Sequence, residues 1–356
     1  MKVLSIHART LIAAVLALMT FVCCSSLSAD TIPVHAIQSV TLEEGDAFIH
    51  GLAYLDGYIW ASTRTKPCRI LRIDPDTLDY ERIIPAEDAL EGEDMVAASG
   101  ALWIILYGPP SKVLRLDPDT LDVTTVVQFS REELLRGGAL VYAFGSLWAG
   151  GGDGRIARID TENYGYEIYD FSTALGRLQI HALAEGGGFL WAASPLYWKD
   201  SEKDNESIVL RINPQRPEEY AAVFLRNLSA SDDMVHQGGR LFLGSEEGDA
   251  TVVSIAADLT WRSEGNDKSG CNGLFAQGTM LWGALHGEPG GVIRLDPDSA
   301  THDYLLLPEG LNHANELVFD PTGNSLFISC WENPTKIVRV DLSGIEQSLI
   351  ISLADR

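Results

Sequence analysis

The side chains of this chain that can do chemistry fall into two series, each recurring at a roughly even interval. One runs His50, Asp94, Gly138, His181, Asp233, Asn272 and the pair Asn315–Glu316. The other runs Arg64, Tyr107, Asp153, Tyr197, Glu246, His286 and the pair Trp331–Glu332. Imidazoles, carboxylates and amides together suit a hard or borderline divalent cation, Mg²⁺ or Ca²⁺ here, and equally suit a polar ligand. A purely architectural series would be expected to repeat one residue type, and these vary. Asp and Asn also sit at strand entrances for turn reasons alone, so the pattern leaves both uses open.

The elements that must position these residues repeat too. Aromatics of one strand type recur at Trp60, Trp103, Trp148, Trp191, Phe242, Trp282 and Phe327, spaced 43, 45, 43, 51, 40 and 45 residues apart. Arg72, Arg115, Arg158, Arg211, Arg294 and Arg339 recur in step, and only the fifth unit departs, with Ser254. Short Ile/Leu/Val-rich strands, four to a unit, with a period in the forties are the pattern of propeller blades. The expectation is therefore an all-β, seven-bladed β-propeller of four-stranded antiparallel blades.

Local turn chemistry agrees. The first two strands of most units meet at Asp56-Gly57, Ser99-Gly100, Phe144-Gly145, Gly238-Gly239, Gln277-Gly278 or Thr322-Gly323, which supply the positive φ of a tight hairpin. Asp74-Pro75-Asp76-Thr77, Asp117-Pro118-Asp119-Thr120 and Asp296-Pro297-Asp298-Ser299 join the third and fourth strands as type I turns. Each recurring Arg has Asp or Asn two residues on, on one strand face, which predicts a structural bond to a neighbouring turn or blade. Either Ala36–Leu42 or Ser348–Leu353 can complete the last blade, and the sequence leaves that choice open.

If strands run up and down from the axis outward, the monotonous turns share one face. The two variable series then share the other, where binding residues concentrate on a rigid scaffold. His50 and Arg64 mark the first blade's edge there, with Tyr107 and Trp331 as further ligand contacts. The one large insertion, Ser194–Ser207, brings Tyr197 and Trp198 to the same face, as a lid or as a solvated loop.

The net charge of −24 repels phosphate backbones and anionic membranes, so nucleic acid is not an expected partner. Residues 1–29 order as a signal peptide: Lys2 and Arg9, an apolar run Leu11–Cys24, then small residues to Ala29. A lipoprotein anchored at Cys23 or Cys24 is the weaker alternative, because Phe21 and Val22 stand where small residues are wanted. The propeller would occupy 30–356, secreted or periplasmic, with no transmembrane segment in the mature chain. Only Cys68, Cys271 and Cys330 remain after the leader, so the core and not disulfides must hold the fold.

The units GLAYLDGYIWAS and NELVFDPTGNSLFIS, with KIVRV-type third strands, resemble the streptogramin B lyase-like and the gluconolactonase-like (senescence-marker) propellers. The first resemblance implies a divalent metal, a His base and a Glu, placed here at His181, His286 and Glu332, with His50 as a substitute base. The second implies a metal held by Asp233, Asn272, Asn315 and Glu316. The chain departs from both patterns: the nearest match to the lyase-like Trp-Phe-Thr-Glu run is Cys330-Trp331-Glu332, and His50 stands where the lactonase-like entrance has Glu. The sequence leaves three readings. The leading one is an exported propeller binding a small molecule, glycan or protein without catalysis. The others are a metal-dependent lyase or lactone hydrolase, and a structural role.

Overall fold

A computed structural model describes residues 36–85, 90–172, 179–195, 206–248, 251–264, 270–299 and 301–343. Each of the seven units is a four-stranded antiparallel sheet. In blade one, Ile49–Leu55, Tyr58–Thr63, Ile70–Ile73 and Tyr80–Ile83 pair in chain order from the axis outward. The later innermost strands are Glu91–Ala98, Leu135–Ala143, Ala182–Gly186, Leu228–Gln237, Cys271–Gln277 and Ala314–Asp320. Each touches the next around the ring, and Ala314–Asp320 packs back against Ile49–Leu55.

The last blade is assembled from distant parts of the chain. Ala314–Asp320, Ser325–Cys330 and Lys336–Asp341 fill its inner places, and the N-terminal Ile37–Thr41 is the outer strand. Ile37 stands opposite Val340, and Thr41 opposite Lys336. Pairing the two halves closes the ring. The segment Ser348–Leu353 lies outside the described residues. The link from this closing strand into blade one is pinned by Asp46, which is 0% exposed. Its Oδ1 accepts from Arg69 Nη1 and Arg82 Nε, both at 2.8 Å, and Arg82 also reaches Glu43 at 2.9 Å.

Blade packing follows one cross-strand motif. Trp60, Trp103, Trp148, Trp191 and Trp282 stand directly opposite Arg72, Arg115, Arg158, Arg211 and Arg294. These indoles are at most 2% exposed. A buried indole needs a partner for its N–H. The first four donate Nε1–H to the carbonyl five residues back, Leu55, Ala98, Ala143 and Gly186, at 3.0–3.2 Å. The aromatic series thus belongs to blade packing, as its recurrence implies. The recurring carboxylates cap their own turns: Asp74 Oδ1 accepts from the N–H groups of Asp76 and Thr77, each at 2.9 Å. The arginines reach outward, Arg211 to the Ala257 carbonyl of blade five and Arg339 to the Asp76 carbonyl of blade one.

Asp56 and Gly57 take φ of 51° and 82°, and Ser99 and Gly100 take 52° and 70°, the pair of left-handed residues that a type I′ hairpin requires. The last blade differs from expectation. Its left-handed residue is Asn324 (φ 46°) and not Gly323, because Asp320 caps a longer turn by accepting from Thr322 N and Gly323 N.

Candidate functional site

The entrances of the innermost strands share a backbone device. Phe48, Arg136, Gly270 and His313 have φ of 58°, 52°, 69° and 52°, each two residues before His50, Gly138, Asn272 and Asn315. A register shift follows within the same strand each time. The left-handed residue and bulge re-aim the entrance side chain. Because the device recurs, its strain at Phe48 and His313 is part of the blade repeat.

The entrance residues themselves bridge neighbouring blades. Asp94 Oδ2 accepts from Leu140 N at 2.7 Å, joining blades two and three, and Asp233 Oδ2 accepts from Leu274 N at 2.9 Å, joining five and six. Their Oδ1 atoms take Met95 N and Met234 N at 2.6 and 2.7 Å. Asn272 Nδ2 donates to Asn315 Oδ1 at 2.8 Å, and Asn315 Nδ2 donates to the Ile49 carbonyl at 3.2 Å, joining six to seven and seven to one. Residues of different type thus do one architectural job, which their varied identity had concealed.

That chain of bonds also fixes orientations. The Ile49 carbonyl can only accept, so Asn315 must turn its Nδ2 to it and its Oδ1 to Asn272. Asn272 therefore presents Nδ2, whose second hydrogen meets His286 Nδ1 at 3.2 Å. His286 then accepts at Nδ1 and carries its proton on Nε2 when neutral. Burial, with the neighbouring His313 (ring centroids 4.7 Å apart) adding to it, lowers the His286 pKa.

Across the mouth, Arg64 links blades one and two. Its Nη1 lies 3.1 Å from His50 Nε2, its Nε 3.3 Å from Glu93 Oε2, and its guanidinium 5.5 Å from the Tyr107 ring centroid. A guanidinium only donates, so His50 Nε2 accepts. Trp331 is the hub between the two halves. Its ring meets Phe48, His50 and His286 edge-on at 5.5, 5.0 and 6.2 Å, and its backbone N–H donates to the His313 carbonyl at 2.8 Å. Phe48, 38% exposed, carries the collar out to solvent.

Not all the candidates join this collar. Glu332 Oε1 accepts from Asn312 N at 2.9 Å and Oε2 pairs with Lys336 at 2.7 Å. Burial alone would raise the Glu332 carboxyl, but the Lys336 ammonium and Asn312 N–H outweigh it and hold the group below its usual range. His181 sits at the blade-four entrance, its N–H on the Ala193 carbonyl, and is not among the described residues lining the central cavity. Tyr197 and Trp198 lie outside the described residues. His313, Phe48 and Glu93 join the site although the two series miss them. The first two sit at the left-handed position, and Glu93 is one residue before an entrance residue.

Among the described residues, no three His, Cys, Asp or Glu converge as metal ligands. Asp233 and Asn315 already spend their polar atoms on blade-to-blade bonds. Of the expected cation set, Asp233, Asn272 and Asn315 thus take part in the seams between blades.

Below the collar a cavity of about 610 Å³ runs along the axis. All seven innermost strands line it, with His50, Asp94, Asp233 and Glu316 at its entrance and Leu52, Leu140, Leu183 and Val235 further in. Its volume is that of a small-molecule pocket.

No family model matches the chain, and no curated protein matches it. Among solved structures it is similar to the WD40 repeats of RRP9, with a TM-score of 0.63 at 14% identity, covering 85% of this chain and 99% of that one. It is also similar to the computationally designed Ika8 protein, with a TM-score of 0.55 at 12% identity, covering 83% and 98%. At such identities the likeness is one of fold: the chain is a seven-bladed β-propeller.

Proposed function

We propose that this propeller is an exported binding protein that holds a small organic molecule at the mouth of its axial channel, without catalysing a reaction on it. The observation that carries this is the aromatic and imidazole collar of Phe48, His50, Trp331 and His286, whose His50 also lines a cavity of about 610 Å³. Concavity on this scale favours a small molecule or a single sugar ring over a globular protein partner. Export rests on the order of residues 1–29.

The acid–base groups support binding over chemistry. A base needs a free lone pair within reach of its proton. Arg64 occupies that of His50 Nε2, Asn272 occupies that of His286 Nδ1, and Lys336 and Asn312 N hold the Glu332 carboxylate. The lyase-like reading rests on His181, His286 and Glu332, of which His181 is not among the described residues lining the cavity and Glu332 is held by Lys336.

The test is a thermal-shift panel of neutral sugars, amines and carboxylic acids on the chain lacking residues 1–29. At least one class should raise the melting temperature of the wild type and not of Trp331→Ala, with the circular dichroism of the variant unchanged. Turnover of an ester, lactone or elimination substrate that is lost in His286→Ala would overturn the non-catalytic reading.

A further inference from the structure

An outer strand presents a row of backbone N–H and C=O groups to which a further strand can be added. Six of the seven described outer strands are blunted against this. Tyr80–Ile83 carries Glu81 and Arg82, Tyr166–Asp170 carries Glu167, and His302–Leu306 carries Asp303. Trp261–Ser263 carries Arg262 and is only 3 residues long. Val123–Gln128 is interrupted by a register shift against Lys112–Leu116, and Ile37–Thr41 exposes Gln38, Ser39 and Thr41. Shortness, charge and irregularity are the means by which natural sheet edges avoid pairing.

Blade four departs from this. Its outer strand, Tyr220–Arg226, is the longest of the seven at 7 residues. It pairs with Glu206–Ile212 without a register shift, and from Ala221 to Leu225 every residue is apolar. Phe224 is 55% exposed, more than any other large apolar side chain among the described residues.

The order of residues along this strand says what fits it. A two-fold axis normal to the sheet places one residue opposite its own copy, and residues directly opposite share a face. With the axis at Ala222, that small side chain meets itself at the crossing. Tyr220 of each copy then meets Phe224 of the other, and Glu218, two residues ahead of the strand, comes to Arg226 at its end. Each pair occurs twice. Tyr220, Ala222 and Phe224 share a face by strand alternation, and Tyr220 is held there against Phe171 at 5.2 Å. Glu218 and Arg226 are both exposed. Aromatic pairs and opposite charges are the cross-strand pairs that stabilise antiparallel strands.

We infer that Tyr220–Arg226 is a homodimer edge, at which blade four of one copy of this chain pairs antiparallel with blade four of a second copy. The contact lies on the perimeter, so it leaves the axial channel open and does not rest on the ligand reading. A contact of one strand pair is small, and the net charge of −24 opposes it, so the dimer should be weak.

The experiment is sedimentation velocity of the chain lacking residues 1–29, over a concentration series at physiological ionic strength. The wild type should pass from monomer to dimer, and Phe224→Lys should stay monomeric with an unchanged circular dichroism spectrum. Arg226→Glu and Glu218→Arg should each weaken the dimer about fivefold, and the double variant should restore it. A wild type that is monomeric throughout, or a dimer that persists in Phe224→Lys, would overturn the inference. So would a double variant no tighter than either single one. A dimer lost only when the chain ends at Ser343 would assign the contact to the C-terminal segment and overturn it as well.

Discussion

Arg240 and Ser254 form in the fifth blade the hydrogen bond that Arg158 and Ser146 form in the third and Arg339 and Ser325 form in the seventh, with the two residue types exchanged between strands. The Nε to Oγ distances are 3.0, 3.0 and 3.1 Å. The Arg series is therefore not broken at Ser254. The guanidinium arrives from the second strand instead of the third.

This exchange predicts a coupled pair. Arg240→Ser and Ser254→Arg should each destabilise the protein, and the double variant should recover most of the loss by restoring the arrangement of blades three and seven. Urea midpoints of the four proteins give the coupling, expected at about 0.5–3 kcal/mol. Additive losses would mean that the bond contributes nothing to blade packing.

Asn315→Ala removes at once the donor to the Ile49 carbonyl and the acceptor of one Asn272 Nδ2 hydrogen in a buried seam, leaving Asn272 only its bond to His286. The loss should be about 1–3 kcal/mol, read as a lowered urea midpoint, with His286 losing its fixed tautomer. Nitrogen shifts of the His286 ring would report the second effect, and an unchanged spectrum would contradict the bond chain.

Asp46→Ala removes the carboxylate that Arg69 and Arg82 share where blade seven is joined to blade one, and leaves Arg82 only Glu43. Asp46 is fully buried but the guanidinium groups left behind are 24% and 29% exposed, so the loss should be about 1–3 kcal/mol, below that of a wholly buried pair. Amide exchange should rise first in Ile37–Thr41, and uniform exchange across all blades would argue against a local latch.

Acid should act in two stages. Burial lowers the His236 and His286 pKa values, so the unfolded chain binds more protons as pH falls below the ordinary histidine value of 6.5, and stability declines from there. The capping carboxylates are also lowered, Asp74, Asp117 and Asp160 chiefly by the N–H groups of their turns and Asp296 and Asp341 chiefly by the Ser299 and Ser343 hydroxyls. Their contribution is present above the ordinary aspartate value of 3.8 and is lost below it. Melting temperature against pH should therefore fall in both ranges, and the His236→Gln, His286→Gln double variant should flatten only the upper one.

The cysteines should be silent in the native protein. Cys68, Cys271 and Cys330 are buried, and burial pushes the Cys68 and Cys330 thiols up to about 12 and raises Cys271 as well. A thiol reagent at neutral pH should label none of them until the chain is unfolded. Fast native labelling at any one would place it at the surface.

Much of this molecule is written in local order. The aromatic period, the Asp-Gly and Asp-Pro turns and the Arg-x-Asp strands encode blade geometry, because hairpin twist and strand alternation depend on residues only a few positions apart. Tertiary structure alone decided how the blades join and what the variable residues do. Asn315 and Ile49 meet across 266 residues, and Asp233 bonds an amide 41 residues on, so no local pattern announces either contact. Ring closure brings those groups together, and in doing so it places Asp94, Asp233, Asn272 and Asn315 in the seams of the propeller. The same closure leaves His50 and His286 on the Trp331 ring at the channel mouth, because seven innermost strands share one axis.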